Sequence, residues 1–390
     1  VFERLPLGKF GNRIPQFSFE VIRPVGELEA MVRAVTLIPG ATEFGYSPSK
    51  VRQVNGPGDK PPLNDHTDRA ATDWRTAVGE LQDVCPNLES VALVVAWFGS
   101  DLRAGHCEIR PGVVSRTLAT TPSPWRVAGQ TRATAHLVST HDGRAAYGGT
   151  PSDDTVVAAI RDLRERGLAV TFYPFIMMDV PAGNGLNDPY GADEQGAYPW
   201  RGMITGSKAP GRPGSPDQTG EAADQIDAFT GSAEPGDFAL AGDAVTYDGP
   251  AEWSYRRFVL HYARLCVAAG GVDAFLIGSE MRGLTTLRSD ANTYPFVNRL
   301  RALAADVREV LGPTTKLSYA ADWTEYAGHR PDDGSGDVYF HLDRLWAHDD
   351  IDFIGIDNYM PLADWRDGSD HLDATAWDTG RSTEYLRANI

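Results

Sequence analysis

Acidic side chains follow several short apolar runs in this chain, and their positions predict a site for acid and base chemistry. Glu280 ends the run Phe275-Leu-Ile-Gly-Ser-Glu280, and Asp179, Asp322 and Asp357 end or follow three other runs. Such apolar runs are typical of strands buried on both faces. In a parallel barrel, residues at the carboxyl ends of the strands face the active site. These acids therefore predict a site at one end of a barrel.

Two facing carboxyl groups would be sufficient for glycoside hydrolysis, at a separation of about 5 Å for retention or roughly 6.5–9.5 Å for inversion. Glu280 is the predicted general acid, because an apolar setting and a neighbouring carboxylate would raise its pKa. The second catalytic group would be Asp322, Glu325 or Asp357. The alternative is that the aspartates only accept hydrogen bonds from loop amides or pair with arginines such as Arg282.

Aromatic side chains also occur near the predicted strand ends, where flat rings could stack on sugars. A glycan cleft would account for the acids and the aromatics together, although aromatics at such positions also serve in core and rim packing. The predicted substrate-binding residues are Trp97, Tyr173, Asp179, Trp323, Glu325 and Tyr359.

Other chemistries have little support in the sequence. The nine histidines include no His-Glu-x-x-His pair, and the three cysteines are widely spaced, so we predict no metal site. No Gly-x-Gly-x-x-Gly follows a strand, and we predict no cofactor. Ser279 is not a nucleophile elbow, because Met281 stands where that motif requires glycine.

Helical and strand patterns alternate along the chain, which predicts an α/β fold with a parallel sheet. A (β/α)8 TIM-barrel-like fold is favoured over an open sheet, because candidate site residues follow several successive strands. We count about six strands, so the barrel is predicted to be incomplete, with the remaining strands supplied by further sequence or by an assembly. The predicted helices are 27–36, 69–84, 152–166, 252–269, 294–311 and 341–347, and the predicted strands are 91–98, one around Tyr147, 169–178, and the runs ending at Glu280, Asp322 and Asp357.

Two segments depart from this alternation. Residues 1–25 resemble the end of a preceding β-rich domain, with the barrel domain at 26–390; the alternative is an N-terminal strand of the same domain. Residues 181–250 are rich in Gly, Pro, Ser and Asp, and we expect a long inserted loop there. Its aromatic part, Tyr190 and Tyr198-Pro-Trp200-Arg201, could form a roof over the site or only anchor a solvated insertion.

The overall charge restricts the partners. A chain of 390 residues with 42% hydrophobic content can fill a core, and its net charge is −17. No cluster of basic residues fits a phosphate backbone, so we predict no direct nucleic-acid binding. No apolar run approaches the roughly 20 residues that span a bilayer.

Four passages carry a resemblance to a known family. They are Gly278-Ser-Glu280, Ala321-Asp-Trp-Thr-Glu-Tyr326, Gly355-Ile-Asp-Asn-Tyr-Met-Pro-Leu362 and, near the N-terminus, Gly11-Asn-Arg-Ile-Pro-Gln-Phe-Ser-Phe-Glu20. Together they resemble the TIM-barrel-like domain, and the segment before it, of the large tail-tip or host-specificity proteins of alphaproteobacterial gene transfer agents and related siphophages. The resemblance covers nearly the whole chain.

The resemblance implies a barrel related to glycoside hydrolases at the distal end of a tail. In retaining hydrolases of this type the acid/base glutamate ends the fourth strand, which matches Glu280, and the nucleophile ends the seventh, which we expect to lie beyond this chain. Those enzymes usually carry Asn before the glutamate, where this chain has Ser279.

Two functions remain open from the sequence. One is a structural tail-tip component that contacts host-envelope glycan, made in the bacterial cytoplasm and held in the particle by hub or baseplate proteins within a homo-oligomeric assembly. The other is an active retaining glycosidase that cleaves a cell-surface polysaccharide or peptidoglycan.

Overall fold

Six parallel strands form one curved sheet, which curls into a half-barrel of the TIM-barrel type. The structure is a computed structural model that describes residues 21–38, 40–56 and 58–389. Every neighbouring pair in the sheet is parallel and follows chain order. The predicted α/β, TIM-barrel-like fold is therefore confirmed. The strands are β1 (Ala34–Leu37), β2 (Ser90–Gly99), β3 (Ala169–Met178), β4 (Ala274–Ser279), β5 (Lys316–Asp322) and β6 (Gly355–Asp357).

Helices connect the strands and cover the outer face of the sheet. Side-chain caps fix the starts of two of them, because the hydroxyl of Ser152 accepts from the amide of Thr155 and that of Ser254 accepts from Arg257. The helices are α1 (Glu27–Met31), α2 (Asp73–Val84), α3 (Asp153–Glu165), α4 (Gly220–Thr230), α5 (Tyr255–Ala268), α6 (Arg282–Thr285), α7 (Pro295–Leu311), α8 (Trp323–Tyr326), α9 (Asp343–Trp346), α10 (Leu372–Ala376) and α11 (Thr383–Ala388).

The two faces of the sheet are packed very differently. Alternate residues of β2, such as Val91 and Val95, belong to the large core shared with helices α3, α5 and α7. The opposite, inner face carries only a small buried cluster, formed by Val94, Tyr173, Leu276 and Ala320. The sparse packing of the inner face leaves a cavity there, and the site described below opens into it.

Two sequence predictions about the strands are wrong. The segment 27–36 was expected to be a helix, but the helix ends at Met31 and β1 begins at Ala34. The strand expected around Tyr147 is instead a short antiparallel hairpin, Thr140–His141 with Arg144–Ala145. The first error arises because β1 is a short edge strand paired only with β2, and this long-range pairing leaves no local pattern.

The segment 181–250 is only partly an irregular loop. It contains helix α4 and a hairpin of Phe238–Ala241 with Ala244–Tyr247.

Short two-residue ladders and single turns of 3-10 helix complete the described structure. The ladders join Arg52–Gln53 to Thr120–Thr121, Gly112–Val113 to His136–Leu137, Arg126–Val127 to Gln130–Thr131, and Ile109–Arg110 to the end of β2. The 3-10 turns lie at Ala104–His106, Arg201–Met203 and Pro235–Asp237.

The predicted N-terminal β segment at 1–25 falls mostly outside the described residues, and residues 21–25 carry no helix or strand. Within the described ranges, no helix combines the length and apolar character needed to cross a membrane.

Candidate functional site

An irregular strand end directs Glu280 toward the inner face of the sheet. The register between β4 and β5 shifts within the last residues of β4, and such irregularities redirect side chains. Gly278 has φ +155°, and a Cβ atom there would lie 1.7 Å from the hydroxyl of Tyr255. That hydroxyl donates a hydrogen bond to the carbonyl of Ile277 at 2.7 Å. Glycine is therefore required immediately before the site.

The backbone of Glu280 itself is strained. Its φ is +52°, a left-handed conformation that costs a non-glycine residue of order 1–3 kcal/mol. The amide of Glu280 donates to the carbonyl of Ala320 on β5 at 2.9 Å, which holds the strained turn in place. Strain of this kind concentrates at functional sites, and here it orients a carboxylate.

The Glu280 carboxylate is held by two neighbouring residues of the 181–250 segment. Trp200 donates from its indole Nε1 to Oε2 at 2.7 Å, and Nη2 of Arg201 forms an ion pair with the same oxygen at 2.8 Å. The Arg201 guanidinium also donates to the carbonyl and hydroxyl of Ser279 and stacks over the ring of Phe175 at 3.7 Å. This buried network keeps Glu280 in one position and stabilises its charge.

Asp357, at the end of β6, faces Glu280. The hydroxyl of Tyr173 donates to Asp357 Oδ2 at 2.5 Å, and the same oxygen lies 4.0 Å from Nη2 of Arg201. Burial raises the pKa of Asp357 to about 6; the hydrogen bond from Tyr173 opposes this shift, and repulsion from Glu280 adds to it. Asp357 therefore retains a proton below about pH 6.

The pair lies on a cavity of about 620 Å³ that opens into the interior of the half-barrel. Tyr359 stands at its rim with 70% of its surface exposed, and the Trp200 side chain forms part of the wall. Apolar walls with a few converging polar groups are the usual composition of a ligand site. The lining residues are Thr36, Ile38, Val94, Tyr173, Phe175, Trp200, Arg201, Glu280, Asp322, Asp357 and Tyr359.

Asp322 and Glu325 lie next to this pair but serve a different purpose. Asp322 caps helix α8 by accepting from the amide of Thr324 at 2.9 Å, and one edge of it lines the cavity. Glu325 is 1% exposed and accepts hydrogen bonds from the hydroxyls of Thr285 and Tyr319. Burial raises the pKa of Glu325 to about 7. Glu325 does not line the cavity of the pair; it borders a separate small pocket of about 210 Å³ instead.

Asp179, at the end of β3, is also occupied by other groups. His136 Nε2 lies 2.6 Å from its carboxylate, and the amide and hydroxyl of Ser139 donate to it. Burial alone would raise the pKa of Asp179, but these hydrogen bonds outweigh it and the pKa is lowered. Asp179 does not line the cavity, so the predicted substrate contact is not placed with the pair.

Two of the predicted aromatic contacts also lie away from the pair. Trp97 is completely buried in the outer core, where its Nε1 donates to the hydroxyl of Tyr262 at 2.7 Å; its ring has no face available for a sugar, which corrects that prediction. Trp323 lines a second, larger cleft instead. Tyr173 and Tyr359 are the predicted aromatics that the structure brings to the acids.

Sequence reasoning did not name Trp200 and Arg201 as site residues. The available signal was the aromatic run Tyr198-Pro-Trp200-Arg201, which was expected only as a possible roof. Arg201 takes the place of the predicted arginine partner Arg282. Among the described residues, no group of three or more His, Cys, Asp or Glu side chains is arranged to hold a metal ion.

The strand order and the connecting helices define a protein with a TIM-barrel-like fold, and its strand-end acids line an inner cavity. Residues 253–390, about a third of the chain, match the family model described as the GTA TIM-barrel-like domain. This stretch begins just before α5 and includes Glu280, Asp322 and Asp357. Comparison with curated proteins gives no match.

Solved structures of GH113 β-1,4-mannanases are similar to the chain at low identity. A complex of such a mannanase has 16% identity and a TM-score of 0.38 over 86% of this chain and 63% of its own. A second GH113 β-1,4-mannanase structure has 17% identity and a TM-score of 0.32, and the match covers 70% of this chain and 53% of that one. The GH113 β-mannanase from Alicyclobacillus acidocaldarius in complex with ManMIm has 16% identity and a TM-score of 0.39, and the match covers 92% of this chain and 67% of that one. The chain thus spans less than two thirds of the first two enzymes, and the fold assignment rests on its own strand order.

Proposed function

We propose that this protein is a component of a phage-like tail tip whose barrel contacts a glycan of the host envelope. The observation that carries the glycan part is the Glu280 and Asp357 pair in an open cavity beside Tyr173, Trp200 and Tyr359. Carboxylates can accept hydrogen bonds from sugar hydroxyls, and aromatic rings present flat apolar faces to sugar rings.

The tail-tip part of the proposal is supported by the family resemblance in the sequence and by the match to the GTA TIM-barrel-like domain. On this proposal the chain is made in the bacterial cytoplasm and resides at the tail tip of a virion or virus-like particle. Its partners there are hub or baseplate proteins, in a homo-oligomeric assembly.

Glycan contact requires less of the site than turnover does. Retaining hydrolysis needs two carboxyl groups about 5–5.5 Å apart, with the sugar between them and a proton on one of them. Ligand binding needs only acceptor groups and an aromatic surface at the cavity, and the lining acids and Tyr359 supply both.

An active retaining glycosidase is the second candidate, and the division of roles within the pair favours it. Asp357 retains a proton up to about pH 6 and would donate it to the leaving oxygen. Glu280, positioned by its ion pair with Arg201, would then attack the anomeric carbon. Water would cleave the resulting glycosyl ester, with Asp357 accepting the proton of the water. This assignment reverses the roles expected from the sequence.

A paired assay separates the two candidates. The full chain is incubated with purified envelope polysaccharide of the host, and bound glycan and newly formed reducing ends are both measured. Glycan contact alone predicts binding without new reducing ends. Turnover predicts reducing ends that fall by at least about 100-fold in Glu280→Gln and Asp357→Asn.

Glu325→Gln is the matched control, because it neutralises a nearby buried carboxyl group that lies away from the cavity wall. It should leave both readouts unchanged. Absence of both binding and turnover in the unmodified chain would reject the glycan part of the proposal. The tail-tip part is tested separately, by tagging the chain in producing cells and locating the tag on purified particles by electron microscopy; a tag absent from tails would overturn it.

A further inference from the structure

A second, larger cleft adjoins the carboxyl pair. It has a volume of about 1100 Å³ and is formed by the 181–250 segment and by the loops after β4 and β5. Trp200 lines both this cleft and the inner cavity, and its Nε1 donates to Glu280. Tyr190 and Trp323 add further aromatic surface to the cleft. A polymer bound at the pair would therefore pass over Trp200 into this cleft.

Three arginines line this cleft without partners. Arg212, Arg282 and Arg330 are exposed, and none of them makes an ion pair or a side-chain hydrogen bond within the described ranges of the chain. Arg288 contrasts with them, because it is buried and held by Asp217 at 2.7 Å. In a protein with a net charge of −17, unpaired arginines grouped on one cleft are an exception to the surrounding surface.

The other charged groups of the cleft only partly offset these arginines. Asp332 and Asp333 are the remaining acids, and Asp333 lies 3.9 Å from Arg288. The pKa of His329 is lowered to about 4 by burial first and then by the charges of Arg288 and Arg282. His329 is therefore neutral at physiological pH, and Arg282 is near enough to act on it.

We propose that this cleft binds an anionic glycan whose sugars carry carboxylate groups, with Arg282 and Arg330 as the principal binding residues. A guanidinium group matches the geometry of a carboxylate and can donate two parallel hydrogen bonds to it. The aromatic rings of Trp200 and Trp323 would support the sugar rings between those contacts. The inference deepens the proposed function, since it extends the same glycan path and specifies the class of glycan.

The test compares two oligosaccharides that differ only in charge. An oligogalacturonate and the neutral oligomer made by reducing its carboxyl groups to alcohols are titrated into the full chain by calorimetry. We expect the anionic form to bind at least about tenfold more tightly, and Arg282→Met/Arg330→Met to remove that preference. The same variant should bind the neutral form as the unmodified chain does.

A double variant with the same change of charge, Arg33→Met/Arg161→Met, serves as the control, because neither residue lines this cleft or the inner cavity. Retained preference in this control is expected, and an equal loss in both double variants would show a general charge effect and overturn the inference. Equal binding of the two oligomers by the unmodified chain would reject the inference and keep the proposed function. Binding of neither oligomer would count against both.

Discussion

Strands β3 to β6 of one sheet are each followed by or end on an acid, but only some of these acids line the inner cavity. Asp179 after β3 and Glu325 after β5 are enclosed by donors from their own surroundings. Glu280 after β4 and Asp357 at the end of β6 face each other across an open cavity. All of these acids satisfy the sequence rule of an acid after an apolar run. Donors hold the acids of both groups, since Trp200 and Arg201 engage Glu280 and Tyr173 donates to Asp357. The difference is that, of these four acids, only Glu280 and Asp357 line the inner cavity, and the position of an acid after a strand does not decide this.

Removal of Arg201 should produce the largest effect. Its buried guanidinium is the cation for Glu280 and lies near Asp357, so Arg201→Met leaves two neighbouring carboxylates with only the neutral donors Trp200 and Tyr173. Breaking a buried pair in this way costs about 3–5 kcal/mol. We expect that loss in the free energy of unfolding at pH 7.5, measured by urea denaturation.

Two further variants sharpen this measurement. Arg299→Met breaks an ion pair whose side chains are both about half exposed and should cost no more than about 1 kcal/mol. Adding Glu280→Gln to Arg201→Met should recover part of the loss, because it removes one stranded charge. Equal costs for the two arginine variants, with no recovery, would mean that the pair is no more sensitive than the surface.

The second largest effect concerns pH. Burial raises the pKa of Glu325 in the folded protein from its ordinary value of 4.5 to about 7. An acid with a raised folded pKa favours folding fully below its unfolded pKa, and this contribution is lost as the pH rises through the folded pKa. Glu325 should therefore reduce the stability of the chain between about pH 4.5 and 7, by an amount on the order of 3 kcal/mol.

Glu325→Gln tests this directly. Its neutral side chain cannot titrate, so the free energy of unfolding should fall less steeply than in the unmodified chain over that interval. Urea denaturation at pH 4.5, 5.5, 6.5 and 7.5 gives both slopes, and Asp357 contributes equally to each. Parallel slopes would mean that burial does not raise the pKa of Glu325 in the folded protein, and this prediction would be wrong.

The sequence predicted the strands of the sheet interior well. Strand 169–178 was predicted with its observed bounds, and β2 was predicted within one residue at each end. These strands are continuous apolar runs because both of their faces are covered. β1 was missed, since its residues alternate between exposed and half-buried and its pairing with β2 is visible only in three dimensions.

The site was only partly predictable, for a related reason. The sequence offered Asp322, Glu325 or Asp357 as the second group beside Glu280, because each ends or follows a strand, and spacing alone did not choose among them. The groups that hold Glu280, Trp200 and Arg201, lie about 80 residues before it in the chain, within a segment without periodic pattern. Local spacing contains no record of such distant donors.

Asp322 gives the smallest effect and the most direct test of the comparison, because it both caps α8 and lines the cavity. Asp322→Ala removes the cap and should cost about 1 kcal/mol in the free energy of unfolding. Asp322→Asn keeps a capping oxygen for Thr324, so it should cost only a few tenths of a kcal/mol. If capping is the role of Asp322, this asparagine variant should bind envelope glycan as the unmodified chain does. A loss of binding as large as that of Asp357→Asn would mean that Asp322 binds glycan together with Glu280 and Asp357. Asp322→Asn differs from the unmodified chain only in the charge that faces the cavity.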